Sequence, residues 1–395
     1  MAKLTIRDVD LKGKKVLVRV DYNVPLDKSQ NITDDTRIKE SLPTIKYLLE
    51  KNCRIILCSH LGRPKGKVAP EFSLKPVAKR LSELLKQEIK FAQDCVGEEI
   101  KKLAAGLQPK EILLLENLRF HPEEEKNDEK FAKQLSELGE FFVQDAFGTV
   151  HRAHASTAGV NKFLPSAAGF LLEKEIKYLG DALQNPARPF VAILGGAKVS
   201  DKIGVIENLS KKVDAILIGG AMAYTFLKAM GIAVGNSLVE DDKLDLAKDL
   251  LKKTSKIRFL LPIDHIIADK VDKDAKVEEA KGIEIKDGFM GVDIGSMTQN
   301  IYSCVILKAK TIVLNGPMGV FEIDKFAAGT NAVVKAIAES TSKGAISIIG
   351  GGDSVSAVKK AGVADKVSHM STGGGASLEF LEGLELPGIA ALKEK

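Results

Sequence analysis

Neither of the two common nucleotide-loop signatures occurs in this sequence. There is no GxxxxGKS/T run, which excludes a Walker-type phosphate loop. GxGxxG is missing as well. GGGDSV (350–355) and GGGASL (373–378) both lack the third glycine, so a nicotinamide dehydrogenase on a doubly wound fold loses its main support. Cysteine is scarce. Cys53, Cys58, Cys95 and Cys304 form no CxxC and no paired spacing. Buried free thiols are therefore expected, rather than a zinc site or a disulfide framework. No apolar run approaches 18 residues, so no membrane span is expected. The opening MAKLTIRDVD has no apolar h-region; no signal peptide and a cytoplasmic location are the expectation.

What is present is the profile of a soluble globular protein: 395 residues, 45% hydrophobic and 28% charged. That length suits two domains of about 150–200 residues. The net charge is +5 and the pI about 8.7, with acids and bases alternating along the chain. This mild positive balance suits an anionic small molecule. It gives little support to nucleic-acid binding, and neither nucleic acid nor membrane is expected as a partner.

A unit recurs along the chain: a short β-branched apolar run, then glycine or polar residues, then a helical pattern. The first half has KVLVRV (15–20), RIILCS (54–59), EILLLE (111–116) and FFVQDA (141–146). The second has VAILGG (191–196), AILIGG (215–220), TIVLNG (311–316) and AISIIGGG (345–352). Such runs, apolar without alternation, read as strands buried on both faces, hence parallel strands covered by helices. Helical patterns such as 73–87 and 130–140 lie between them. The expected fold class is α/β, with two doubly wound, Rossmann-like parallel-sheet domains. In the stretch 171–189, Leu172, Ile176, Leu179 and Leu183 make one helix face before NPARP stops it. The expected organisation is an N-terminal domain (1–170), a connecting helix and hinge (171–189), a C-terminal domain (190–375) and a tail (376–395) packing back towards the first domain. The acidic run HPEEEKNDEK (121–130) reads as a solvated helix start.

In open parallel sheets ligands bind beyond the carboxyl ends of the strands. In the first half those positions are polar. Asp21 and Asn23 follow the first run, and with Arg19 they share parity, so the three side chains leave one face of an extended chain. Arg19 lies inside the strand and reads as a structural pairing residue. His60 and Arg63 follow the second run, Arg119 the third, and His151 and Arg152 the fourth, with Arg37 in TDDTRIKE. A cluster of this kind suits phosphate or carboxylate, which guanidinium forks match bidentately. In the second half the same positions carry glycine: Gly195-Gly196, Gly219-Gly220, Asn315-Gly316 and Gly350-Gly351-Gly352. Glycine lets backbone N–H groups approach phosphate, and a following helix N-terminus adds its dipole. Lys198 and Lys202 are four apart, on one face of a starting helix. Ser354 reads as an N-cap. Asp353 is either a cap or a carboxylate facing a metal on the phosphates.

The blocks LVRVDYNVP (17–25), DDTRIKESLPTI (34–45), SHLGRPKG (59–66), LLENLRFHPEEE (114–125), DAFGTVHRAHAS (145–156), GGAKVSDKI (195–203), LNGPMGVFE (314–322) and GGGDSVSA (350–357) together resemble the phosphoglycerate kinase family over essentially the whole chain. The resemblance implies two α/β domains around a cleft. The first would hold 3-phosphoglycerate or 1,3-bisphosphoglycerate, and the second ADP or ATP with Mg²⁺. By matched motif, Asp21, Asn23, Arg37, His60, Arg63, Arg119 and Arg152 are expected to bind substrate. Lys198, Lys202, Gly219, Gly220, Gly291, Asn315, Glu322, Gly351, Gly352, Asp353 and Ser354 are expected at the nucleotide, with Asp353 as the metal contact and Glu322 at the ribose. Arg37, Lys198, Gly351 and Gly352 are the expected catalytic set, and a monomer is the family expectation. Ser296 stands where the family often has proline, while Phe289 keeps an aromatic. A dehydrogenase and a non-catalytic nucleotide-binding scaffold remain the alternatives; Arg37, Lys198 and Asp353 speak against the second.

Overall fold

The computed structural model describes residues 3–280 and 282–395. Met1, Ala2 and Lys281, which fall in the two expected domains, lie outside the described residues. The chain divides into two units, Met1–Lys177 with Glu385–Lys395, and Tyr178–Leu384. The division falls inside one helix, Phe170–Gln184.

The first unit is built on six strands: β1 (Lys15–Val20), β2 (Arg54–Cys58), β3 (Ile89–Phe91), β4 (Ile112–Leu114), β5 (Phe141–Asp145) and β6 (Ser166–Ala168). Their order is β3-β4-β2-β1-β5-β6, and every neighbouring pair is parallel. Because side chains alternate across a strand, the apolar runs feed two cores. Val16, Val18, Ile55, Leu57, Ile112 and Leu114 pack on one face with Ile38, Ile45, Val77 and Leu81 of the helices Thr36–Glu50 and Lys75–Leu85. Leu17, Ile56, Leu113 and Phe142 pack on the other with Ile100 and Phe131 of the helices Glu98–Ala105 and Glu129–Ser136. Fully covered parallel strands account for the unbroken apolar runs.

The second unit contains β7 (Phe190–Leu194), β8 (Ala215–Ile218), β9 (Arg258–Leu260), β10 (His265–Ala268), β11 (Val277–Ala280), β12 (Met290–Ile294), β13 (Thr311–Asn315), β14 (Ile346–Gly350) and β15 (His369–Met370). Six of them form a parallel sheet in the order β15-β14-β13-β7-β8-β9, and β11-β10-β12 form a small separate antiparallel sheet. The eight apolar runs thus become strands, and each sheet adds two short ones. Strand order reverses between β1 and β5 in the first sheet and between β7 and β13 in the second. These are the switch points at which doubly wound sheets bind ligands.

The tail divides. The helix Gly374–Leu381 stays with the second unit, where Asn208 Nδ2 donates to the Leu381 carbonyl at 2.7 Å. The last eleven residues return to the first: Gly388 N donates to Val150 O at 2.8 Å, and Leu4 N to Lys393 O at 2.9 Å. Among the described residues, no helix is long and apolar enough to cross a membrane.

Candidate active site

At the carboxyl end of β1, Val20 pairs with Asp145 of β5, and the chain then leaves the sheet at Asp21. Arg37, in the first turn of Thr36–Glu50, donates from Nη1 to Asp21 Oδ2 at 2.9 Å and to the Asn23 carbonyl at 3.1 Å. Asn23 Oδ1 accepts from the Gly62 N–H at 2.9 Å, and the Gly62 carbonyl accepts from Arg119 Nη1 at 3.0 Å. Asp21, Asn23, Arg37 and Arg119 are therefore joined through backbone groups of Asn23 and Gly62. Burial pushes the Arg119 guanidinium below its ordinary value. Its Nε lies 3.3 Å from Glu125 Oε1, out of line for a hydrogen bond.

Arg19 is buried and holds this loop set from beneath. Its Nε donates to Ser156 Oγ at 2.8 Å, Nη1 to the Val20 carbonyl, and Nη2 lies 3.1 Å from His60 Nδ1. A guanidinium only donates, so His60 Nδ1 accepts and the ring hydrogen sits on Nε2. Burial, with Arg19, Arg119, Arg37 and His154 nearby, holds His60 well below the usual imidazole range. His154 is pushed down to about 3 by burial and by Arg119, Arg19 and Arg152. His151 shifts the same way, by burial and by Arg152 and Arg119, with Asp21 opposing. His60 and His151, placed with the arginines in the cluster after the strand ends, therefore add no charge to it. The histidines are neutral at neutral pH, and the positive charge is carried by guanidiniums. Arg152 Nε donates to His151 Nε2 at 3.2 Å. Arg63 stands apart: its side chain is exposed and makes no hydrogen bond among the described residues, although its neighbour Gly62 is at the centre of the network.

Two contributors escape sequence reading. Glu124, within the supposedly solvated acidic run, is fully buried. It accepts from Ser156 N at 2.9 Å and Ser156 Oγ at 2.5 Å, so Ser156 bridges it to Arg19. Burial raises the Glu124 carboxyl, with Arg19 opposing. The second is His154, whose only signal is its three-residue spacing from His151.

The second switch point is made of backbone. Asn315 ends β13 between Leu194 and Gly350 in register, and its carbonyl accepts from Gly195 N at 3.0 Å. The loops after β7 and β13 are so close that a Cβ on Gly195 would fall 1.9 Å from the Pro317 carbonyl. Gly316 has φ +106° and its Cβ would fall 2.2 Å from Gly195 O; glycine is required there on both counts. Gly219 N donates to Leu194 O at 2.9 Å, Gly220 N to Met318 O at 2.9 Å and Gly291 N to Ser237 Oγ at 2.9 Å. The helix Gly352–Lys360 starts after Gly351, which occupies the cap position. Ser354 is therefore not the N-cap. It lies in the first turn, where its Oγ accepts from Gly316 N at 2.6 Å and ties the phosphate-loop candidate to the β13 loop.

Lys202 Nζ donates to Asn315 Oδ1. Burial lowers the Lys202 ammonium, with Asp201, Glu382 and Asp353 opposing. Residues Ser200–Lys202 form a 3-10 turn ahead of the helix Ile203–Leu209, so the expected shared helix face of Lys198 and Lys202 does not form; Lys198 is exposed before that turn. Asp353 is exposed in the first helical turn. Glu322 is exposed, and its carbonyl accepts from Lys360 Nζ at 3.1 Å.

The cysteines depart from expectation at one position: Cys53, Cys58 and Cys95 are buried, but Cys304 is exposed. Asp94, Cys95 and His121 bring donor atoms within 4.8 Å of one another. His121 Nε2 and Asp94 Oδ1 are hydrogen-bonded at 2.6 Å, and Asp94 contributes to a thiol held well above its ordinary value chiefly by burial.

Comparison with known proteins covers the whole chain. The family model for phosphoglycerate kinase matches residues 6–384. A phosphoglycerate kinase of Prosthecochloris aestuarii is 60% identical over 397 residues, with 100% of both chains covered. A cytosolic phosphoglycerate kinase of Triticum aestivum is 59% identical over 393 residues, covering 99% of this chain and 98% of the relative. Among solved structures, the phosphoglycerate kinase of Coxiella burnetii superposes with a TM-score of 0.89 at 42% identity, covering 98% of each chain. With an arginine cluster at one switch point, a glycine-lined loop set at the other, and matches spanning both sheets, the chain belongs to the phosphoglycerate kinase family of phosphotransferases.

Proposed function

We propose that the chain catalyses reversible phosphoryl transfer between 1,3-bisphosphoglycerate and ADP, giving 3-phosphoglycerate and ATP, within glycolysis and gluconeogenesis. The observation that carries this reading is the Asp21–Arg37–Asn23–Gly62–Arg119 network at the first switch point. Its guanidiniums match the carboxylate and phosphate of a phosphoglycerate bidentately. Asp21 and the Asn23 amide suit the glycerate hydroxyl. His60, neutral with its hydrogen on Nε2, donates rather than attracts by charge. Arg152 and the exposed Arg63 extend the anion grip.

In the second unit, Gly219, Gly220 and Gly291 line the base slot and Glu322 meets the ribose. Gly351, Gly352 and Ser354 bring the helix N-terminus to the phosphates, favoured there by exposed N–H groups and the helix dipole. Lys202, fixed by Asn315, and the exposed Lys198 supply ammonium charge. Asp353 fits Mg²⁺: it is a hard oxygen donor, exposed, on the helix turn that faces Lys202's surroundings. Mg²⁺ is commonly held by one or two carboxylates together with substrate phosphates and water. When bound, it neutralises charge on the nucleotide phosphates.

The acceptor carboxylate of 3-phosphoglycerate has a pKa of about 4 and is ionised at neutral pH. No general base is required, and none is assigned. Arg37, Lys198 and the N–H groups of Gly351 and Gly352 stabilise charge on the migrating group, which is the main catalytic need of phosphoryl transfer. Direct in-line transfer needs the acceptor oxygen within about 3–3.5 Å of phosphorus. The proposal includes closure about a hinge in the segment 171–189, which also limits hydrolysis of the acyl phosphate. A cytoplasmic monomer is the proposed working form; the wheat relative's name supports the location.

The test is a coupled assay with purified protein, 3-phosphoglycerate and Mg-ATP, detecting 1,3-bisphosphoglycerate. Its formation in proportion to enzyme is the expected result. Absence of product with both ligands saturating overturns the reading.

A further inference from the structure

The exits of β3 and β4 hold a group of side chains that the proposed phosphoryl transfer does not use. Asp94 and Cys95 follow β3, and His121 follows the 3-10 turn Leu118–Phe120 beyond β4. Backbone bonds fix both segments: Ala92 N donates to Leu114 O at 2.9 Å, and His121 N to Leu118 O at 3.2 Å. One oxygen, Asp94 Oδ1, accepts from Cys95 N and from His121 Nε2, each at 2.6 Å. The His121 ring packs against Phe131 at a centroid distance of 5.2 Å. Cys95 is fully buried, whereas the Asp94 side chain is 49% exposed.

A salt bridge needs only Asp94 and His121. The thiol adds a soft third donor, and carboxylate oxygen, imidazole nitrogen and sulfur all lie within 4.8 Å of one another. A tetrahedral metal with bonds of about 2.0–2.3 Å sets its ligand atoms about 3.3–3.8 Å apart. Such a metal parts the hydrogen-bonded pair by about 1 Å and draws the sulfur inward by a similar amount. One sulfur, one imidazole and one carboxylate are a set that zinc accepts, with water in the fourth position on the solvent side of Asp94. A hard cation such as Mg²⁺ takes oxygen ligands and has no use for the thiol. No CxxC marks the set, because His121 comes from a different strand exit, 27 residues beyond Asp94.

We propose that Asp94, Cys95 and His121 form a site for Zn²⁺, made of none of the residues that serve the nucleotide, which braces the β3 exit against the turn carrying Arg119. Cys95 binds as thiolate and releases its proton to solvent as the metal enters. The site is a brace rather than a part of the reaction, so it stands whether or not the chain is a kinase.

The test uses the full chain, stripped with a chelator and titrated with Co²⁺ and then Zn²⁺ in excess Mg²⁺ without nucleotide. The expected result is one equivalent of Co²⁺ with tetrahedral visible bands and a near-ultraviolet thiolate-to-cobalt band, both abolished by Zn²⁺. Zn²⁺ raises the melting temperature of the parent. Cys95→Ala removes the thiolate band, and His121→Ala and the milder Asp94→Asn each weaken Zn²⁺ binding at least tenfold. Cys304→Ala, at the exposed cysteine, changes nothing. Absence of a thiolate band in the parent overturns the proposal without reference to any variant, so a variant that fails to fold does not shelter it. A band that survives Cys95→Ala or vanishes in Cys304→Ala also overturns it, as does equal Zn²⁺ affinity in the parent and Asp94→Asn.

Discussion

At the switch point of the first sheet, the strand ends give way to long charged side chains: Arg37 on Asp21, Arg119 on the Gly62 carbonyl, Arg19 beneath them on Ser156 and His60. At that of the second sheet, they give way to backbone. Gly195 and Gly316 let two loops touch, and Ser354 and Asn315 fasten those loops to a helix start and to Lys202. Both candidate sites lie at the same topological place, the switch point of a parallel sheet, but their demands on sequence differ. A side-chain site must satisfy its charges, and here the buried Glu124–Ser156–Arg19 bridge does so. A backbone site must leave space, and a single methyl group is enough to damage it. The first should fail by lost charge with the fold intact; the second should fail by collision.

The largest expected effect is on the charged side. Arg37→Ala removes a guanidinium proposed to face the migrating phosphoryl group. By analogy with other charge-stabilising arginines, kcat falls on the order of 10³-fold. Far-UV circular dichroism and the unfolding midpoint should stay close to those of the parent, because Arg37 is a partly exposed residue in the first helical turn. Turnover near the parent value removes Arg37 from the mechanism.

On the backbone side, Gly316→Ala should behave differently. The new methyl meets Gly195 O at 2.2 Å in a backbone with φ +106°, and the combined strain and collision cost on the order of 2–4 kcal/mol of stability. Gly196→Ala is the control in the same loop set. Its φ is +118°, yet nothing lies within 4 Å of the added Cβ, so only conformational strain is expected. Thermal unfolding that ranks Gly196→Ala as equal to or worse than Gly316→Ala would show that contact between the loops is not what glycine serves here.

The two units agree in one respect, and pH tests it. Asp145 and Asp293 are each buried and pushed up from 3.8 to about 7 by that burial. Asp145 Oδ1 accepts from Leu171 N at 2.9 Å at the start of Phe170–Gln184. Asp293 accepts from Gly329 N at 2.6 Å at the start of Ala328–Ser342. Each folded carboxyl holds its proton at a pH where the unfolded chain has lost it. Their contribution to stability is therefore complete below about pH 4 and is lost as pH rises through 7. Asparagine keeps an acceptor oxygen and cannot ionise. In Asp145→Asn or Asp293→Asn, the fall of stability between pH 4 and 7 should be shallower by one proton, about 1.4 kcal/mol per pH unit. Denaturant titrations at several pH values would refute this by returning parallel slopes for parent and variants.

How much of this was legible depends on which forces write themselves locally. Runs such as KVLVRV and TIVLNG became β1 and β13 because both faces of each strand are buried, and unbroken apolar residues are the local mark of that. The edge strands β3, β6, β9 and β15 left no such mark. They are two or three residues long, and β3 and β9 include Lys90 and Arg258. The small antiparallel sheet drew no strand expectation either: VEEA (277–280) is polar, and HIIA (265–268) is a run of only four residues. In the site, Asp21, Asn23, Arg37 and the glycines followed from their place after strands. Glu124 did not, because burial of one acid among the five of HPEEEKNDEK is a tertiary event. Nor did the neutrality of His60 and His154, which depends on arginines brought in from other segments.

The smallest expected effect separates two arginines that sequence treats alike. Arg119 is almost wholly buried and donates to the Gly62 carbonyl, whose amide partner is Asn23. Arg63, one residue beyond Gly62, is exposed. Removing Arg119 takes away a buried charge-assisted hydrogen bond and loosens the loop that holds Asn23. Arg119→Ala should raise the KM for 3-phosphoglycerate roughly tenfold, about 1.4 kcal/mol, with a smaller change for ATP. Arg63→Ala acts on an exposed guanidinium screened by water and salt, and the same KM should rise only about two- to threefold. Salt offers a second discriminator, because the effect of Arg63→Ala should shrink at high ionic strength while that of Arg119→Ala persists. Equal shifts of KM for the two ligands in Arg119→Ala would detach the arginine cluster from the phosphoglycerate. A larger effect at Arg63 than at Arg119 would mean that reach into solvent, rather than burial in the network, governs the grip on the anion.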